Sequence, residues 1–248
     1  MADYDNRVMR GRSVPDAGVI DAGLRAYMLR VYNYMLIGLV LTGITAWTVA
    51  NVPEIGALFY QQNAVTGRVG LTGLGWIALL APLGLVLLLS FGIQRMSLGA
   101  AQAVYWGYAA LVGVSLAPVL LVYTGASVAQ VFFITAATFG AMSLYGYTTR
   151  RDLSSFGSFL FMGLIGIVIA SLVNMFILSS VVSWVISVIG VLVFTGLTAY
   201  DTQWIKESYV ANDDSTIAGR KAIFGALKLY LDFLNLFLML MQLLGNRR

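Results

Sequence analysis

The sequence predicts an all-α integral membrane protein with seven transmembrane helices, on three observations. Hydrophobic residues fill 59% of the 248 positions and charged residues 10%, with a mean hydropathy of +0.84; soluble domains carry about 25% charged residues. Seven apolar stretches reach the roughly 20 residues that a bilayer requires, at about 31–51, 72–92, 102–123, 127–147, 157–178, 181–203 and 222–244. The basic residues are also segregated by side. Of fifteen, eleven lie in the N-terminal tail and the second, fourth and sixth links, three lie in the other links and the C-terminus, and Lys228 lies inside a span.

The first 30 residues hold five arginines interleaved with Asp3, Asp5, Asp16 and Asp21, and no apolar core precedes Val31. They read as a cytosolic tail rather than a signal or transit peptide, leaving 31–248 as one membrane domain. The second and third spans contain Pro82 and Pro118. Each removes a backbone donor, so a neighbour must take the freed carbonyl, and each is either a packing accommodation or a hinge. The links around "YTGAS" and "LSSV" are so short that the third and fourth spans, and the fifth and sixth, must be antiparallel neighbours. In the fifth span, Gly166 and Ala170 of "GLIGIVIA" stand one turn apart, as close helix packing favours. The basic bias places the N-terminus in the cytosol and the C-terminus outside. The net charge of +4 therefore reports topology, and it is poor support for nucleic-acid binding.

With no cysteine and no histidine, disulfides, thiol nucleophiles, histidine dyads and the commonest metal ligands are excluded. Carboxylates, hydroxyls and lysine remain. Nine of the eleven acidic residues fall in the tail or links, leaving Asp201 at the inner end of the sixth span and Asp232 inside the seventh. An ionised aspartate at mid-bilayer costs about 2.5–3.5 kcal/mol on insertion scales, so it needs partners or a purpose. At 100° per residue Lys221, Gly225, Lys228, Asp232, Asn235, Met239 and Gln242 share one face of the seventh span. That face should look into the bundle or a water-filled cavity. With the sixth span running to about Glu207 and the seventh starting near Phe224, the two carboxylates fall at depths of roughly 9 and 12 Å. They are expected to meet and to share a proton, because two carboxylates in a low-dielectric site cannot both ionise cheaply. The plainer alternative is a Lys228–Asp232 ion pair at i, i+4, with Asn235 as a packing hydrogen bond.

"GLTAYDTQWIK" (196–206), "LYLDFLNLFLMLMQLLGNRR" (229–248) and "FGAMSLYGYTTRRDLSSFG" (139–157) closely resemble signatures of the Bax inhibitor family, in particular its bacterial branch. The resemblance implies a seven-helix bundle around a central seventh helix, in a bacterial inner membrane. It also implies a pH-sensitive calcium leak in which paired aspartates sense protons. Asp201 of "AYDTQ" and Asp232 of "LYLDF" match that pair. Arg95 of "FGIQRMSLG" matches the arginine that locks the closed state, with Lys228 and Asn235 as further gating partners. Calcium prefers six to eight oxygen ligands, so Asp201 and Asp232 are expected to touch it weakly and transiently as a permeant ion. No cofactor and no enzymatic activity are expected.

An intramembrane aspartyl protease would also use two aspartates sharing a proton. That class carries Gly-x-Gly-Asp where this chain has "LYLD", and a Pro-Ala-Leu motif that does not follow here. A retinal photoreceptor would place an aspartate one turn before its lysine, whereas Lys228 precedes Asp232, and the third span holds no acidic counter-ion. The alternative retained is a non-conducting regulator or partner of a membrane protease complex.

Overall fold

The computed structural model describes residues 17–62 and 69–248; the tail up to residue 16 and the middle of the first link, including Arg68, lie outside them. Among the described residues eight α-helices run in chain order: α1 (Ala17–Asn51), α2 (Pro53–Phe59), α3 (Gly73–Gly92), α4 (Leu98–Val122), α5 (Gly125–Thr148), α6 (Ser154–Ile177), α7 (Ser180–Glu207) and α8 (Ser215–Leu244). All but α2 are long and apolar enough to cross a membrane. α2 leads into a short antiparallel hairpin, β1 (Tyr60–Gln62) with β2 (Val69–Leu71), in which Tyr60 pairs with Leu71. Neither element is long enough to cross a bilayer.

Two helices begin earlier than expected. α1 takes in residues from Ala17 onward that read as tail, and its membrane-compatible part starts at Ala22. α8 starts at Ser215 rather than near Phe224, because the Asp214 side chain accepts from the backbone N–H of Thr216 and Ile217, each at 2.8 Å. Such a cap satisfies donors that the first turn otherwise leaves orphaned. It turns the polar stretch "STIAGRK" into helix.

Both prolines sit inside helices, Pro82 in α3 and Pro118 in α4, and both freed carbonyls are taken. Ser115 Oγ donates to the Ala78 carbonyl at 3.1 Å, four residues before Pro82. Tyr60 Oη donates to the Val114 carbonyl at 2.8 Å, four residues before Pro118. Burial raises the Tyr60 phenol above its usual range, so it stays a neutral donor. The glycine expectation needs correction in its example. Nothing lies within 4 Å of where a Cβ would stand on Gly166. Close approaches of one long helix backbone to another occur instead at glycines such as Gly113, where a Cβ would come 2.6 Å from the Thr42 carbonyl, and Gly146, where it would overlap the Ala199 backbone.

α8 is the central helix, as the resemblance implied. It packs against α1, α4, α5 and α7, and 61% of its apolar window is buried, against 17% for the lipid-facing α3 and α6. Its C-terminal end is tied down by the chain that follows: Asn246 N donates to Ser127 Oγ at 2.9 Å, and Arg248 N donates to the Val122 carbonyl at 2.9 Å. The α6–α7 link is only Leu178 and Ser179. Leu178 adopts a left-handed conformation, φ 55°, to reverse the chain, and Asn174 braces the turn by accepting from Ser179 N at 3.1 Å.

Candidate functional site: a buried carboxylate pair

The register of α7 against α8 is set where Gly225 faces Ile205. A Cβ on that glycine would stand 3.1 Å from the Ile205 side chain. From this contact Asp201 lies one turn deeper along α7, and Lys228 and Asp232 lie one and two turns deeper along α8. The helix-end depths expected from sequence fail for α8, which overhangs α7, yet the two aspartates still line one cavity. Asp201 is 7% exposed and Asp232 4%. Lys228 Nζ donates to Asp201 Oδ1 at 2.7 Å and also stands 4.8 Å from the centre of the Trp204 ring. The plainer pairing weighed from sequence, Lys228 with Asp232 one turn away, is therefore not the one formed. Asp232 Oδ2 is buried with no hydrogen-bond partner.

The cluster has one ammonium for two carboxyl groups, so it is neutral only when it holds one further proton. A second negative charge would have to be met by movement of Lys228 or by a cation. Among the described residues no three or more His, Cys, Asp or Glu side chains converge, so a cation here would meet no more than two carboxylates.

Both aspartates, Lys228 and Asn235 line a cavity of about 520 Å³ between α6, α7 and α8. α6 and α8 scarcely touch, and α7 forms its floor. Asn235 spends its Nδ2 on the Leu231 carbonyl of its own helix, at 2.8 Å, and so contributes its carbonyl end to the cavity. A larger groove between α1 and α5, about 680 Å³, is mostly apolar and has no carboxylate on its walls.

Arg95 is not part of this cluster. It ends a short 3₁₀ turn, Ile93–Arg95, with an exposed side chain, and among the described residues it pairs with neither aspartate. What ties its link to α8 is Arg220, whose guanidinium donates to the Gln94 and Met96 carbonyls. Sequence reasoning missed Arg220 because backbone acceptors have no sequence signature. It also missed Trp204, although the tryptophan three residues after Asp201 in "DTQWIK" shares a helix face with it.

A seven-span helical bundle that buries one aspartate on its central helix and another on the neighbouring α7, beside a half-buried lysine and a cavity, defines a polytopic membrane protein with titratable groups in its core. The chain belongs to the Bax inhibitor family: residues 24–248 match the family described as inhibitor of apoptosis-promoting Bax1. It is 51% identical over 228 residues to an uncharacterized protein of Rickettsia prowazekii strain Madrid E, covering 92% of each chain. It is 49% identical over 229 residues to the inner membrane protein YbhL of Escherichia coli K12, covering 92% of this chain and 94% of the relative. An uncharacterized protein of Caulobacter vibrioides is 44% identical over 232 residues, covering 92% of each chain.

Proposed function

We propose that this protein is a pH-sensitive calcium leak of a bacterial inner membrane, gated by protonation of the Asp201–Asp232 pair, and not an enzyme. The observation that carries the reading is the pair itself: two buried aspartates, only one of them held by Lys228, line one cavity inside helices long and apolar enough to span a bilayer. Intramembrane acids that face a cavity mark ion or proton paths. The inner-membrane location is supported by the name of the E. coli relative and the seven spans. The basic bias supports an N-terminus in the cytosol and a C-terminus outside.

In this account Lys228 holds Asp201 ionised and Asp232 keeps the additional proton. Loss of that proton places two negative charges side by side, which repel unless Lys228 shifts between them or calcium enters. Either response moves α8 against α7, because Lys228 and Asp232 are on one helix and Asp201 is on the other. Two carboxylates are too few to hold calcium tightly, which suits passage. No resident cofactor is needed for any step.

The test is calcium entry into dye-loaded proteoliposomes. Flux above that of empty liposomes supports the leak. Its absence at every pH moves the function to a regulator or partner of a membrane protease complex.

A further inference from the structure

Two cavities lie along the same face of α8, and their limits match on three helices. The cavity of the carboxylate pair reaches Leu164 on α6, Phe194 on α7 and Asn235 on α8. A second one, about 510 Å³, runs outward from Ser171 on α6, Trp184 on α7 and Gln242 on α8, with Arg247 at its far end. Since α7 runs antiparallel to α6 and α8, these limits fall at corresponding heights. About two helical turns separate the cavities on α6 and α8, and nearly three on α7.

That interval is apolar. Ile167 of α6 and Ile186 of α7 are buried there, and Met239 of α8 packs into the same cluster. Met239 rests on Gly190: a Cβ on that glycine would come within 2.9 Å of the Met239 Cγ and Sδ atoms. Ser187, at the same level, is fully buried and donates to the Ser183 carbonyl at 3.0 Å. Its proton is therefore spent on its own helix. Along α8 the stripe Lys228, Asp232, Asn235 and Gln242 is polar except at Met239. Asn235 and Gln242 are about 10 Å apart along the axis.

We infer that Met239 seated on Gly190, with Ile167 and Ile186, is a hydrophobic septum that closes a water path along the polar face of α8 and separates the two cavities. This rests on the leak reading for its purpose, but not for its geometry. Hydrophobic constrictions gate by dewetting: water does not fill a narrow apolar neck, so an ion cannot cross hydrated. Methionine suits the position because its unbranched thioether swings aside with little rearrangement. A small shift of α8, which the carboxylate pair would drive two turns away, is enough to lift it from Gly190.

The chain contains no cysteine, so single cysteines can report water access directly in the full-length protein in oriented vesicles. Asn235→Cys should react with a membrane-impermeant maleimide only from the side of the α7–α8 link, and Gln242→Cys only from the opposite side. Adding Met239→Ala should make Asn235→Cys reactive from both sides, raising the far-side rate from background to the near-side rate. Ile167→Ala should do the same from a different helix, and Met239→Leu should keep the barrier. Reaction of Asn235→Cys from both sides with the septum intact overturns the inference. So does a far side that stays closed in both alanine variants, or no reaction from either side. Labelling reads water access without calcium: an opened septum with no calcium flux would sink the leak and leave the septum standing.

Discussion

Within one turn α8 presents two opposite chemistries. Toward α1 and α4 it places Tyr230, whose hydroxyl donates to Thr42 Oγ1 at 2.6 Å. Thr42 in turn passes its own proton to the Ala109 or Gly38 carbonyl, at 2.8 and 2.9 Å. Tyr105 and Tyr108 pack edge-on to the Tyr230 ring, centroids 6.3 and 5.5 Å away. Two residues further on, Asp232 faces α7 with a carboxylate oxygen unpartnered. The first face is neutral and satisfied, so it fixes α8 in the bundle. The second is short of one proton or one cation, so it can respond. A helix pinned on one side and unsatisfied on the other is suited to a small, guided movement.

The largest effect that would break this contrast is on the charged face. Asp232→Asn should abolish most of the pH response of flux while leaving the fold intact. Asp201→Asn should do likewise, and the double variant should add little, because groups acting as one unit are not additive. Additive effects would separate the two carboxyls. Lys228→Met strands the buried Asp201 carboxylate and should cost about 3 kcal/mol of stability, read as a lowered unfolding midpoint in detergent. Combining it with Asp201→Asn should recover most of that loss. On the neutral face, Tyr230→Phe should cost about 1 kcal/mol, one hydrogen bond, and leave the pH profile of flux unmoved; a shifted profile would erase the distinction between the faces.

The smallest effect comes from an acid outside the membrane. Asp152, in the α5–α6 link, is held below its usual range by hydrogen bonds from the Ser154 side chain and backbone. A carboxyl lowered in the folded state stabilises above its ordinary value of 3.8, and that contribution is lost only as pH falls through the lowered value. Asp152→Asn should therefore leave the neutral-pH flux profile unchanged and narrow the stability difference seen in acid.

Much of this was legible in the sequence, for physical reasons that also mark the limits. Hydropathy located all seven spans because the bilayer sets one length for each, and two acids in apolar helices stood out because burying a charge is costly. The polar stripe of α8 followed from helical periodicity, and its one apolar member, Met239, became meaningful only once Gly190 was seen beneath it. The start of α8 was misplaced because Asp214 acts as a cap, which converts polar sequence into helix. The contact of Lys228 with Asp201 rather than Asp232 depends on the Gly225–Ile205 register, a property of two helices together. Arg95 was assigned by resemblance alone, and the structure instead ties its link to α8 through Arg220. The hairpin β1–β2 is too short to leave a pattern, although Tyr60 within it supplies the donor that Pro118 makes necessary.

The measurement that tests the central claim most directly is calcium flux into dye-loaded proteoliposomes between about pH 6 and 8, wild type beside Asp232→Asn. The account predicts flux that varies with pH in the wild type and a flat profile in the variant. A variant that titrates like the wild type would contradict it, because the proton that gates the path would then sit elsewhere.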